Sequence, residues 1–402
     1  MMSEAGATAA ADCWDAVVIG AGPAGSVCAY ALACAGQRVL LVDRADMPRA
    51  KVCGCCLAPD GAESLARAGL AAVLNGAGVI DACELRVGNR SVTLPARGFA
   101  VLGRDELDAR LAAAAQAAGA TLLTGWGAHV EADGAVRLRK SGGQIAPHIA
   151  ESAWHEPDFA GLPGPLVRAR AVVVADGIGG ASLRERPEFG WRVSPASFMG
   201  LGTILSRPPV ALRSGHMTML CGAAGYLGLV RLPTGKIDAA ASLDPHAVRA
   251  AGGPAKVCAA MLTSAGGDPT ALNGAVWRGT PLLTRRRAQI ESGSVFVLGD
   301  AAGYVEPFTG EGMSWAIRGS LIASTIICNR LEGRPEPGAW ALAHRREIGR
   351  YHRRCGLVAR LVRRPLALRT LVGAGTWGPF ILNRVVSMLG PAGPAAFEGR
   401  YA

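Results

Sequence analysis

Apolar residues fall along this chain in two rhythms, and each predicts a different kind of element. Near the N-terminus two unbroken runs, Ala16-Val-Val-Ile19 and Val39-Leu-Leu-Val42, flank a helix-compatible stretch over 26–36. Short apolar runs bounded by glycine are how strands buried on both faces read. Thr121-Leu-Leu-Thr124, Ala169-Arg-Ala-Val-Val-Val-Ala175 and Ser294-Val-Phe-Val-Leu298 continue that series. Between them, 79–94, 199–206, 217–220, 226–232 and 237–242 are short and partly alternating, with turn signals at Ser214-Gly215 and Thr234-Gly235. These predict one antiparallel sheet with a separate job. Helical spacing predicts helices over 61–70, 104–118 (Leu107 and Leu111 on one face), 255–264, 313–331 and 340–364. The stretch 142–167, rich in Gly, Pro and His, reads as an irregular excursion. The pattern as a whole predicts an α/β chain with an inserted α+β region and a C-terminal helical region.

The turn between the first two runs carries the first chemistry. It reads Gly20-Ala-Gly22-Pro-Ala24-Gly25, and the second run ends on Asp43, 18 residues beyond Gly25. Gly20 suits the tight turn out of the strand, Gly22 lets backbone approach a pyrophosphate, and Gly25 lets the helix pack close. The helix start offers free N–H groups and a positive dipole end. An acid at the tip of the second strand can accept hydrogen bonds from a ribose, which favours FAD or NAD over NADP.

Charge changes the picture only locally. The net charge of +11 rests on Arg, since only four Lys occur; residues 344–364 hold eight Arg against one Glu, seven of the eleven units. A uniformly basic nucleic-acid surface is not what this describes, and no nucleic-acid partner is expected. In that segment Ile348, Tyr351, Cys355, Val358 and Val362 recur at helical spacing, with Arg345, Arg346, Arg353, Arg360, Arg363 and Arg364 largely elsewhere. Such a helix (340–364) either lies on an anionic membrane or packs its apolar stripe on the fold. The apolar tail around Trp377 leans toward contact with lipid or a greasy substrate. Eleven scattered cysteines fit reduced thiols in a cytoplasmic protein, with peripheral contact on the inner membrane face as the second reading. The first fourteen residues, with Glu4 and Asp12 and no basic residue, read as a disordered tail rather than a targeting segment. Cys53, Cys55 and Cys56 lack the paired spacing of a zinc site, so no metal is expected.

Taken in order, the glycine turn, Arg104 at a helix start, Asp176-Gly177 after a strand, and Gly299-Asp300-Ala-Ala-Gly303 followed by Pro307 and Gly310-Glu311-Gly312 resemble one family. It is the FAD-dependent oxidoreductase superfamily of p-hydroxybenzoate hydroxylase, the flavin halogenases and the geranylgeranyl reductases. The resemblance spans about residues 15–330, and Lys51-Val-Cys53-Gly54 most resembles the geranylgeranyl reductase branch. It implies a Rossmann-like FAD-binding domain (15–78, 101–190 and 286–332), an inserted substrate domain (79–100 and 191–285) and a helical region over 333–402. FAD would be held by the 20–25 turn, Asp43 and Arg44, by Lys51, Cys53 and Gly54, by Arg104, by Asp176 and Gly177, and by the loop from Gly299 and Asp300 through Pro307 to Met313. NAD(P)H or another donor would be the transient reductant.

The reductases carry an aromatic stretch on a substrate-domain strand; here it corresponds to Gly225–Pro233, with Tyr226 kept and Gly228 where a tryptophan would stand. A glycine there would open the pocket to a wider substrate. Halogenases need a Trp-x-Trp-x-x-Pro stretch, which this chain lacks. The resemblance implies a reductase of carbon–carbon double bonds in a hydrophobic, isoprenoid or other lipid-like substrate, with Cys53 and Tyr226 as catalytic candidates and no obligate protein partner. The alternative is a monooxygenase acting on an aromatic or polyketide-type ring, for which Tyr304 and Glu306 are further candidates. A non-catalytic, membrane-associated flavoprotein is the third reading.

Overall fold

The computed structural model describes residues 13–141, 164–306, 308, 310–364 and 370. Pro307, most of the tail at 1–14, the excursion at 142–163 and the apolar stretch around Trp377 lie outside them.

The unbroken apolar runs become neighbours in one largely parallel sheet. Its order is Glu291–Ser292, Val295–Val297, Leu166–Val174, Cys13–Ile19, Val39–Val42, Thr121–Leu123, with the hairpin Trp126–Val130 and Val136–Lys140 attached to Leu166–Val174. Val18 sits opposite Leu41 on one side and Val173 on the other. Both faces are covered, which is why the runs do not alternate. Ala16, Val18, Leu41, Val173 and Phe296 pack beneath the helices Pro23–Cys34 and Gly312–Leu331. Val17, Ile19, Val42, Val172 and Val297 pack against the hairpin, Leu183 and Phe189.

The alternating runs form a second eight-stranded sheet: Arg278–Leu282, Met199–Leu205, Ile237–Leu243, Gly225–Arg231, His216–Gly222, Gly78–Val87, Arg90–Val101, Cys56–Leu57. Leu201, Leu220, Leu227, Leu229, Ile237 and Leu243 bury one face under the helix Pro254–Ser264. The opposite face looks into the cleft. One pairing departs from the antiparallel expectation, since His216–Gly222 runs parallel to Gly78–Val87. Parallel neighbours need a long crossover, and here four of the eight strands of the first sheet are threaded between the two strands.

The helix expected over 340–364 is two, Ala339–Glu347 and Gly349–Val362, broken where Gly349 follows Ile348. Glycine is a poor helix former and yields first. The apolar stripe is packed: Ile348, Tyr351 and Cys355 cluster with Trp315, and Val358 sits against Met219 and Tyr226 of the second sheet. Each such buried large side chain contributes roughly 1.5–3 kcal/mol. Arg345, Arg346, Arg353, Arg360 and Arg364 remain exposed. Among the described residues no helix is long and apolar enough to cross a membrane.

Candidate active site

A single cleft of about 3670 Å³ runs from the 20–25 turn to the open face of the second sheet. Ordinary ligand pockets measure about 300–1,000 Å³, so this one has room for a dinucleotide and a second molecule.

At one end the first strand hands over to its helix. A Cβ on Gly20, whose φ is +102°, would overlap the Ala175 backbone, and a Cβ on Gly25 would overlap the Gly20 carbonyl. Those two glycines hold turn and helix together, and Gly25 does not line the cleft. Gly22 is different. A Cβ there would stand 3.9 Å from a guanidinium nitrogen of Arg104 and 3.9 Å from one of Arg49. Space open to backbone with two cations at its rim is a phosphate cradle. Arg49 is largely buried; its Nη1 lies 3.5 Å from the Asp108 carboxylate, and its Nε has no hydrogen-bond partner among the described residues, as expected of a donor waiting for an anion.

Asp43 closes this end. Its carboxylate accepts from the Ala21 amide at 2.7 Å, the Ala45 amide at 3.0 Å and Arg49 at 2.8 Å. It therefore fixes the glycine turn as well as facing the cleft, where a carboxylate still has acceptor capacity for a ribose hydroxyl. Arg104 opens the helix Arg104–Ala117 and grips fully buried Asp108 through two bonds of 2.9 and 3.0 Å. Arg49 and Asp108, which sequence reasoning missed, thus complete a set with Asp43 and Arg104. Their signal was an acid one helical turn after Arg104 and an Arg six residues after Asp43.

Arg44 and Gly54 line the mouth, both exposed. Lys51 also reaches solvent inside the mouth, yet protein walls it on most sides; that desolvation, then the repulsion of Arg49, brings its ammonium down to about 8. Asp176 holds its own turn, accepting from the Ser182 amide at 3.1 Å and from the Ser182 hydroxyl, with Gly177 at φ +83° beside it. Both line the cleft.

Toward the middle, Asp300, Gly310, Glu311, Gly312 and Met313 come together at the start of the helix Gly312–Leu331. Burial raises the Asp300 carboxyl to about 6 against the pull of Arg104 and Lys51. Gly299 faces away: a Cβ on it would lie 2.8 Å from the Ala24 side chain, so this pair packs loop against helix. Glu311 is buried and accepts from the Cys355 thiol at 3.6 Å.

The loop 51–56 bridges the two sheets. A Cβ on Gly202 would lie 3.3 Å from Val52, which docks the loop on the second sheet. Cys55 has a φ of 51°, the one positive value for a non-glycine among the described residues. Such backbone costs on the order of 1–3 kcal/mol, and glycine would avoid it. The bend sets half-buried Cys53 beside Arg104. Burial pushes the Cys53 thiol up, against the attraction of Arg104, so it stays protonated.

At the far end the wall is apolar: Met217, Met219, Gly228, Val230 and Phe308. Gly228 does not leave a void as expected, because Met219 covers it, with its sulfur 3.0 Å from where a Cβ would be. Tyr226 stacks edge-on against Phe308 at 5.0 Å. Burial, then the nearby carboxylate of Glu306, raises its hydroxyl well above the ordinary value. Glu306 is itself buried and paired with Arg363, which also donates to the Ala196 carbonyl. Tyr304 stands between, its hydroxyl raised by burial and by Asp300 and Cys53. Asp238, unmarked by any motif, lines the same wall. Among the described residues no cluster of three potential metal ligands occurs.

The cradle at Gly22, the orphaned Arg49 Nε and the Asp43 carboxylate fit a flavin dinucleotide. Bound there, FAD would supply two-electron redox chemistry, and Arg49, Arg104 and Asp43, with the 20–25 turn, would hold its adenosine and phosphates. Comparison with known proteins agrees. A menaquinone reductase of Mycobacterium tuberculosis is 28% identical over 348 residues, covering 79% of this chain and 78% of that protein. A geranylgeranyl bacteriochlorophyll reductase-like protein of Thermoplasma acidophilum shares the fold at TM-score 0.67 and 17% identity, over 90% of this chain and 91% of that one. So does PqsL of P. aeruginosa, solved with 2-aminobenzoylacetate, at TM-score 0.67 and 20% identity over 89% and 98%. The family model described as FAD binding domain matches residues 14–360, and the chain belongs to that family of FAD-dependent oxidoreductases.

Proposed function

We propose that this flavoprotein reduces carbon–carbon double bonds in a hydrophobic, isoprenoid or other lipid-like substrate. The observation that carries the reading is the 51–56 loop. It sets a protonated Cys53 thiol where the charged cradle gives way to the apolar wall of Met217, Met219 and Val230. A greasy chain would lie along that wall, and the relative named menaquinone reductase supports a substrate of this class. NAD(P)H or another donor would reduce the flavin transiently. The exposed arginines of the last helices offer a peripheral contact with the anionic membrane that holds such a substrate.

Anaerobic incubation of reduced enzyme with a polyprenyl substrate tests it by mass spectrometry. The expected product is heavier by two hydrogens without O₂. Strict dependence on O₂, with product heavier by one oxygen atom, would replace this reading with monooxygenation of an aromatic or polyketide-type substrate.

A further inference from the structure

One buried acidic group of the cleft is accounted for by neither the motifs nor the cofactor cradle. In the strand Ile237–Leu243, Ile237, Ala239, Ala241 and Leu243 pack into the core of the second sheet, and Asp238 and Ser242 line the cleft. Asp238 is only 4% exposed, and its Oδ2 has no hydrogen-bond partner. Its cross-strand neighbours are Val230 and Ile204, both apolar. The polar groups that face it come from the 51–56 loop: the thiols of Cys55, Cys53 and Cys56 stand beside the carboxyl, and the Cys55 thiol donates to the Cys53 carbonyl at 4.0 Å.

Three other buried acids in and beside the cleft are paired with arginine, Asp43 with Arg49, Asp108 with Arg104 and Glu306 with Arg363, and Glu311 at the helix start accepts from Cys355. Among the described residues no cation bears on Asp238, and burial raises its carboxyl to about 8, which keeps it protonated near neutral pH. The facing thiols are pushed up by burial too and bring no charge of their own. As a structural residue this group makes little sense, because an unpaired buried carboxyl costs stability that an apolar side chain would keep. As a proton donor aimed into an apolar cleft it does.

Resting on the reductase reading, we infer that the Asp238 carboxyl is the acid that protonates the substrate carbon as its double bond is reduced. The π bond breaks; one carbon takes a hydride, with its two electrons, from the reduced flavin. The other takes the proton from the Asp238 O–H, and the carboxylate left behind is reprotonated from water.

Asp238→Asn keeps shape and removes the proton. FAD content and flavin reduction by the donor should stay unchanged, while anaerobic turnover of a polyprenyl substrate falls about 10²–10⁴-fold. Wild-type turnover should fall as pH rises through about 8, and residual turnover in the variant should lack that limb. A second measurement needs no turnover. A carboxyl raised in the fold contributes stability below its unfolded value, near 4, that is lost as pH rises toward 8. The melting temperature of wild type should therefore drop relative to Asp238→Asn across that window. Equal turnover in both proteins, or parallel melting curves at every pH, overturns the inference. Should the Asn variant not fold, Asp238→Ser carries the same comparisons. A wild type that makes only an O₂-dependent product overturns the functional reading instead, and the melting curves still judge whether Asp238 is protonated.

Discussion

The two ends of the cleft are built on opposite principles. At the glycine end the buried acids are met by amides or guanidinium groups, and recognition runs through backbone: Asp43 alone accepts two amide N–H bonds and one arginine. At the sheet end, side chains from separate strands make an apolar wall holding one carboxyl with no cation. A ligand that carries fixed charge can be read by a short contiguous motif, because consecutive amides converge on it. A greasy ligand is read by shape, assembled from every second residue of distant strands. Charge at the first end holds; the near-absence of charge at the second keeps a proton available.

The comparison can be broken most severely at the turn. Gly25→Ala would drive a methyl into the Gly20 carbonyl, and we expect little folded protein and no bound flavin. Gly22→Ala meets nothing closer than 3.9 Å. It should fold normally yet lose FAD affinity tenfold or more, about 1.4 kcal/mol, read by flavin absorbance and titration. Equal behaviour of the two variants would refute the division between packing glycine and cradle glycine.

Next in size is Arg104→Met. It removes the bidentate partner of Asp108, whose side chain is fully buried and otherwise has only Arg49 at 3.5 Å. Breaking a buried pair from one side costs about 3–5 kcal/mol; the remaining contact with Arg49 places the expected loss at the lower end. Urea midpoints of the apoprotein measure it, and a loss below about 1 kcal/mol would mean the pair is well solvated.

The smallest expected effect lies on the apolar wall. Gly228→Trp must displace the Met219 thioether, which is a flexible side chain and can move. Folding and FAD content should be nearly unchanged while the range of accepted chain lengths narrows in a competition assay. An unchanged range would show that the substrate does not pass over this strand.

Much of the cofactor end was legible in the sequence, because its signals are local. The runs at 16–19 and 39–42, the glycines between them and Asp43 lie within thirty residues, and their spacing fixes their geometry. What stayed hidden depends on distant segments meeting. Nothing local says that residues 216–222 pair parallel with 78–87, that Met219 fills the space above Gly228, or that Arg363 closes on Glu306. Gly299 carried the right motif but serves packing, as the sequence already implied for Gly25; for Gly299 only three-dimensional contact reveals it. Asp238 left one trace, a charge in a strand of otherwise small and apolar residues, which alternation alone would assign to solvent.

The tie between Arg363 and Glu306 bears on the order in which this protein can mature. Both sheets and the flavin loop are encoded before residue 332, but the guanidinium that neutralises Glu306 and the Val358 side chain that seals the wall beside Tyr226 arrive with the last described helix. During synthesis, a chain still lacking that helix would leave Glu306 without its counter-ion and an edge of the cleft open to water. The site is therefore completed only after residue 363 has been made. A chimera that exchanges its C-terminal segment with a relative would have to bring along a cation at this position and an apolar residue five places before it.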